Sequence, residues 1–222
     1  MAETEPNMNP AAGTKRIAVV TGANKGIGFG ISKQLASNGI KVILTARDVQ
    51  RGSEAAERLK AAGYSDVLFH QLDVTDPASI SSLANFISSQ FGKLDILFIS
   101  NENAKKELGD VDELTEEKVD KVVEGFLEDV KENLVEIKGW PKTLCTYMVS
   151  KAALNSYTRV LAKNYPNIAI NSVSPGHTKT DLTDNTGVLS VEEGAKGPVM
   201  LALMPEGGPS GLFFDQTEVS TF

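Results

Sequence analysis

The stretch that most constrains this chain is Val19-Val20-Thr21-Gly22-Ala23-Asn24-Lys25-Gly26-Ile27-Gly28-Phe29-Gly30. A short β-branched run, Ile17 to Val20, precedes it, and Ile31, Leu35 and Ala36 follow at helical spacing. The order is strand, glycine-rich turn, helix. In that context the glycines let the backbone approach a pyrophosphate, and the helix start supplies N–H groups and a positive dipole end. The spacing T-G-x-x-x-G-x-G is neither G-x-G-x-x-G nor a P-loop, since no Gly-Lys-Ser/Thr closes it. An ordinary Gly-rich turn is the plain alternative, and the flanking strand and helix weigh against it.

Strand and helix patterns then alternate. Ile40 to Ala46 is a continuous apolar run suited to a buried parallel strand. Helical spacing runs from Gly52 to Ala62, ended by Gly63, and Val67 to Leu72 is a third strand. Asp76-Pro77 opens a helix that closes at Phe91-Gly92, before a fourth strand at Leu94 to Ile99. This alternation predicts an α/β fold with a doubly wound, Rossmann-like parallel sheet. Later, Leu144 to Lys163 reads as a long helix, Ile168 to Val173 as a strand, Val191 to Leu203 as a short helix, and Gly211 to Phe214 as a last strand. Residues 1–14 and 216–222 read as polar tails, leaving one domain over residues 15–215.

Residues 101–140 depart from this rhythm and read as a helical insertion or flap. Thr115 can cap a helix, with Leu114 and Val119 as a hydrophobic staple. Between Glu107 and Glu136 lie twelve acids and three lysines, so the chain's net charge of −7 belongs to this segment. A substrate lid and a solvated surface helix with one docked face both suit the pattern. No basic face stands out for nucleic acid. No apolar run reaches the length of a membrane span. The single cysteine, Cys145, allows no internal disulfide, which suits a reducing compartment and a cytoplasmic location.

Arg47 ends the second strand, 19 residues past Gly28. An acid there would bond a ribose 2′-hydroxyl, whereas an arginine favours a 2′-phosphate. With Lys25 inside the glycine loop, two cations predict NADP(H) over NAD(H). Asp48 follows Arg47 but is expected to point elsewhere. Tyr147 and Lys151 stand four apart on the long helix, so phenol and ammonium share one face. A neighbouring ammonium favours the phenolate, which makes the tyrosine a candidate acid–base group. His177 is read as a loop side chain and His70 as a strand residue. Two isolated histidines and one cysteine give no metal constellation.

These motifs together resemble the short-chain dehydrogenase/reductase family, and the text TGANKGIG resembles its plant carbonyl reductases, from Lys15 to about Phe214. The resemblance implies that Gly22, Asn24, Lys25, Gly26, Ile27 and Gly28 hold the cofactor, with Asp73 and Val74 beside the adenine. It implies Tyr147 as proton donor in reducing a small lipophilic ketone, terpenoid- or alkaloid-like, or oxidising the alcohol, and Lys151 as its activator and ribose ligand. The loop Ser174 to Asp181 resembles the one that covers the nicotinamide, which carries over Pro175, Gly176, Thr178 and Thr180. The acidic segment resembles the insertion that keeps related reductases monomeric.

One part of the family pattern is absent. After Asp95-Ile96-Leu97, the family's Asn-Asn-Ala-Gly segment, the next helix and a fifth strand bearing a catalytic serine are expected. Instead Phe98-Ile99-Ser100-Asn101-Glu102-Asn103-Ala104-Lys105 resembles the loop after that serine. Ser100 is a poor substitute by its neighbours. The resemblance thus implies either a reductase or a catalytically impaired NADP(H)-binding form. With one strand gone, a single sheet of about six strands is predicted, with Ile168–Val173 paired directly to Leu94–Ile99.

Overall fold

The computed structural model describes residues 15–99, 115–140 and 145–221. The expected N-terminal tail, Ser100, the loop around Asn101 and Leu114 lie outside the described residues. The first half alternates as the apolar runs predict: β1 (Ile17–Val20), α1 (Gly26–Ser37), β2 (Lys41–Ala46), α2 (Val49–Ala61), β3 (Val67–Gln71), α3 (Pro77–Phe91) and β4 (Ile96–Phe98). The four strands form one parallel sheet in the order β3-β2-β1-β4.

Both faces of this sheet are covered. Successive side chains on a strand point to opposite faces, so Ala18 and Val20 face α1 and α2, packing with Ile31, Leu35, Ala56 and Leu59. Ile17, Val19 and Ile43 face α3, packing with Leu83 and Ile87. Local chemistry sets the helix ends. Asp48 accepts the Arg51 N–H at 2.8 Å and so caps α2, which starts three residues before the expected Gly52. Asp76 caps α3 with Pro77 at the first turn, and Gly92 ends it with a left-handed φ of 68°.

The expected sheet of about six strands does not form. After α4 (Glu116–Lys131) and α5 (Cys145–Asn164), β5 (Ser172–Ser174) pairs in parallel with β6 (Phe213–Asp215). β6 pairs in turn with β7 (Glu218–Ser220), which replaces the frayed end expected after Asp215. These three strands make a separate sheet. β4 therefore ends the main sheet, and among the described residues no strand lies beyond it. The physical reason is ladder satisfaction. β5 is three residues long and takes its hydrogen bonds from β6, extended by Ser172 N–H to the Leu212 carbonyl at 3.0 Å. Helix α7 (Lys196–Leu203), which follows the single turn α6 (Val191–Gly194), packs on both β4 and β5 without the two pairing. Leu97 and Ile99, at 56% and 58% exposure, remain open to solvent.

α4 is the acidic helix predicted at Thr115, whose hydroxyl accepts the Lys118 N–H. Its apolar stripe docks on α5, where Val119 packs with Ala152 and Val160. Trp140 closes the segment by stacking edge-on against buried Phe126 and donating Nε1–H to Asp129 at 2.8 Å. These contacts dock one face of the helix, an arrangement compatible with both readings of the segment.

Candidate cofactor and active site

The glycine turn sits where β1 ends. Thr21 N–H donates to the Phe98 carbonyl at 3.0 Å, and Ala23 N–H to the Thr45 carbonyl at 2.9 Å. The turn is thus pinned to β4 on one side and β2 on the other. Gly22 and Gly26 have φ of 60° and 56°, which favours residues without a Cβ. A Cβ on Gly28 would lie 2.8 Å from the Gly22 carbonyl oxygen. The backbone therefore closes on itself, and α1 begins immediately, with Asn24 half-buried beside it and Ile27 buried beneath. α1 has no side-chain cap and no acid in its first turn. An anion is accommodated at such an end by free N–H groups and the helix dipole. This geometry fits a dinucleotide pyrophosphate.

Arg47 and Asp73 gather at the same edge, the C-terminal ends of β2 and β3. Asp73 accepts from the Thr75 N–H at 2.9 Å and the Thr75 hydroxyl at 2.7 Å. Those bonds, with a smaller contribution from the Arg47 charge, hold its carboxyl below the usual carboxylate range. Val74 beside it is 55% exposed, an apolar surface at the crevice where such sheets bind ligands.

The loop after β5 returns to the glycine turn. Gly176 has a φ of 75°. Thr178 is buried, and its hydroxyl donates inward to the Gly176 carbonyl at 3.2 Å, with the Pro175 carbonyl at 3.4 Å. In this arrangement Thr178 braces its own loop. Thr180 lies against the turn: its methyl is 3.6 Å from where a Gly26 Cβ would stand. Lys25 pairs with Asp181, the next residue along. His177 is exposed, its Nε2 3.5 Å from the Thr186 hydroxyl. His70 belongs to β3, stacked on Phe86 with ring centroids 4.9 Å apart. Both histidines sit as the sequence predicts.

Tyr147 and Lys151 come together on α5, the Lys151 ammonium 5.9 Å from the Tyr147 ring centroid. Lys151 is buried at 3% exposure, whereas Tyr147 is 37% exposed. The pair thus presents an open phenol over a buried cation. The structure joins the predicted residues into three groups: the glycine turn with Thr180, Arg47 with Asp73, and Tyr147 with Lys151. Sequence reasoning gave Asp181 no role. Its bond to Lys25 spans 156 positions, which no local pattern reveals.

A doubly wound parallel sheet with a glycine turn at its first βα junction defines a Rossmann-like protein. The chain belongs to the short-chain dehydrogenase/reductase family. Residues 16–128 match the short chain dehydrogenase family, and residues 133–197 match enoyl-(acyl carrier protein) reductase. The chain is 42% identical to (+)-neomenthol dehydrogenase of Arabidopsis thaliana, over 94% of this chain and 99% of that one. It is 39% identical to salutaridine reductase of Papaver somniferum, over 314 aligned positions and the whole of both chains. The structure of that reductase superposes with a TM-score of 0.86 at 38% identity, covering 90% of this chain and 99% of the other. A more distant relative is carbonyl reductase [NADPH] 3 of Mus musculus, 33% identical over 86% of this chain and 91% of that protein.

Proposed function

We propose that this chain binds NADP(H) at the turn Gly22–Gly28 and descends from reductases of small lipophilic ketones, terpenoid- or alkaloid-like. The observation that carries the cofactor half is the Cβ-excluding turn at an uncapped helix start, with Lys25 and Arg47 as cations for a 2′-phosphate. Relatives named neomenthol dehydrogenase, salutaridine reductase and NADPH carbonyl reductase support the same reading. Asn24, Gly26 and Ile27 belong to the turn, Asp73 and Val74 flank the adenine, and Pro175, Gly176, Thr178 and Thr180 form the covering loop.

Bound NADPH supplies the hydride. Tyr147 donates its phenolic proton to the substrate carbonyl oxygen, and the exposed phenol is positioned to reach a ligand. Lys151 holds positive charge beneath the ring, which favours the phenolate left after transfer. In the reverse direction the same phenolate takes the alcohol proton.

A second reading, a cofactor-binding form impaired in turnover, has its own support. The alignment to salutaridine reductase spans 314 positions against 222 residues here, which leaves 92 positions without a residue of this chain. Among the described residues no strand lies beyond β4 in the main sheet, the side on which the resembling family's serine-bearing strand is expected. Losing one oxyanion donor costs on the order of 100- to 1000-fold in other enzymes.

Titration of NADPH by fluorescence, followed by turnover on a ketone panel, separates these readings. Binding with turnover that Tyr147→Phe abolishes supports the reductase. Binding without turnover supports the impaired form. Absence of binding refutes both. We also propose a cytoplasmic monomer; the cover that α4 gives the α5 face through Val119, Ala152 and Val160 supports the monomer. No helix among the described residues is long and apolar enough to cross a membrane.

A further inference from the structure

Lys25 stands at the N-cap of α1 yet gives the helix start no side-chain bond. Its ammonium reaches the opposite loop and pairs with the Asp181 carboxylate. That carboxylate is mounted on a braced element. Asp181 opens the 3₁₀ turn Asp181–Thr183, which Thr180 and Thr183 close with a reciprocal capping box. The Thr183 hydroxyl also donates to the Thr178 carbonyl at 2.7 Å. With Thr180 against Gly26, the turn carries a protein anion to the edge of the proposed phosphate cradle. Lys25 holds the Asp181 carboxyl below its usual range, so it is charged at neutral pH.

We infer that Asp181 is a specificity-setting gate: it occupies Lys25 and ties the loop 177–189 to the glycine turn until a nucleotide bearing a 2′-phosphate displaces it. The gate rests on the NADP(H) reading. Both side chains are well exposed, 62% for Lys25 and 69% for Asp181, so the pair is weak and exchangeable. A 2′-phosphate carries about −1.5 to −2 charges near pH 7, against one on a carboxylate, and outcompetes it for the ammonium. A nicotinamide dinucleotide lacking that phosphate offers only its pyrophosphate, which the backbone N–H groups of the turn take up.

The test compares wild type, Asp181→Asn, Lys25→Met and the double variant. NADPH and NADH are titrated by fluorescence, and amide exchange over 177–189 is followed without ligand. Asp181→Asn is expected to tighten NADPH up to about fivefold, the range of an exposed ion pair, and to change NADH less than about twofold. In the Lys25→Met background the same substitution has no effect on either nucleotide. Exchange in the loop rises in both single variants, and no further in the double. Weaker NADPH binding in Asp181→Asn, equal shifts for both nucleotides, or unchanged exchange overturns the gate. NADPH binding that is indifferent to Asp181 overturns the gate alone. Failure of every form to bind NADPH overturns the cofactor reading and the gate with it.

Discussion

Replacing Gly28 by alanine tests the cradle where it is tightest. The added Cβ would stand 2.8 Å from the Gly22 carbonyl oxygen, 3.0 Å from Ala23 Cα and 3.2 Å from the Gly22 carbonyl carbon. All three are backbone atoms, so no rotamer change relieves the contact. The turn is also pinned by the bonds from Thr21 to Phe98 and from Ala23 to Thr45. Overpacking of this kind costs about 1–3 kcal/mol. Alanine in place of a helical glycine returns about 0.5–1 kcal/mol. The net loss is about 0–2.5 kcal/mol, a fall in Tm of up to about 10 °C for a domain of this size. Binding suffers more, because the shift falls on the atoms that face the pyrophosphate; NADPH affinity drops by about tenfold or more. Gly30→Ala is the control. Its Cβ meets Val191 Cγ1 at 2.8 Å and no atom of the glycine turn, so stability falls while affinity stays within about twofold. Thermal melts and NADPH titrations of both variants decide the matter. A Gly28→Ala protein that melts and binds like wild type would refute the backbone argument, as would equal loss of binding in Gly30→Ala.

Three further outcomes follow from the described contacts. Asp66 is held below the usual carboxylate range by hydrogen bonds from Lys15 and Lys41. A depressed carboxyl contributes stability above its unfolded pKa near 3.9 and loses that contribution as pH falls through the folded value. Urea midpoints from pH 7 down to pH 3 should thus fall less steeply at the acid end in Asp66→Asn, and identical acid limbs would contradict this. Leu97→Lys places a charge at the open edge of β4 and should suppress concentration-dependent light scattering, with stability within about 0.5 kcal/mol of wild type; scattering unchanged by the substitution would count against the edge as the sticky surface. Phe126 is 2% exposed and stacks on Trp140, the chain's sole tryptophan. Phe126→Ala should cost about 3–5 kcal/mol in the α4–α5 region and shift Trp140 emission to the red, and unshifted emission would show that the ring is not what shelters the indole.

Features set by neighbouring residues were legible from the sequence. Asp76 and Thr115 cap the helices that their positions announce, because a cap is a contact within three residues. The unbroken apolar run of β2 required two covered faces, and α2 and α3 supply them. Pairing between distant strands was not legible. The stretch Ile168–Val173 looks strand-like, but only Ser172–Ser174 forms, and its partner is β6 instead of β4. Counting strands says nothing of which edges meet, and β7 was invisible because Glu218, Val219 and Ser220 form a strand only through β6. The site shows the same division. Tyr147 and Lys151 meet because helical spacing brings positions four apart together. Lys25 meets Asp181 because two loops from separate sheets converge. In the proposed reading cofactor binding draws on the glycine turn, Arg47 and Asp73 in the first half of the chain, where local rules suffice, and on the loop after β5 in the second. Turnover in that reading draws on Tyr147 and Lys151 of α5, and among the described residues the main sheet ends at β4. The proposed reading therefore lets turnover be lost while binding persists, because the Tyr147 phenol serves the proton transfer alone.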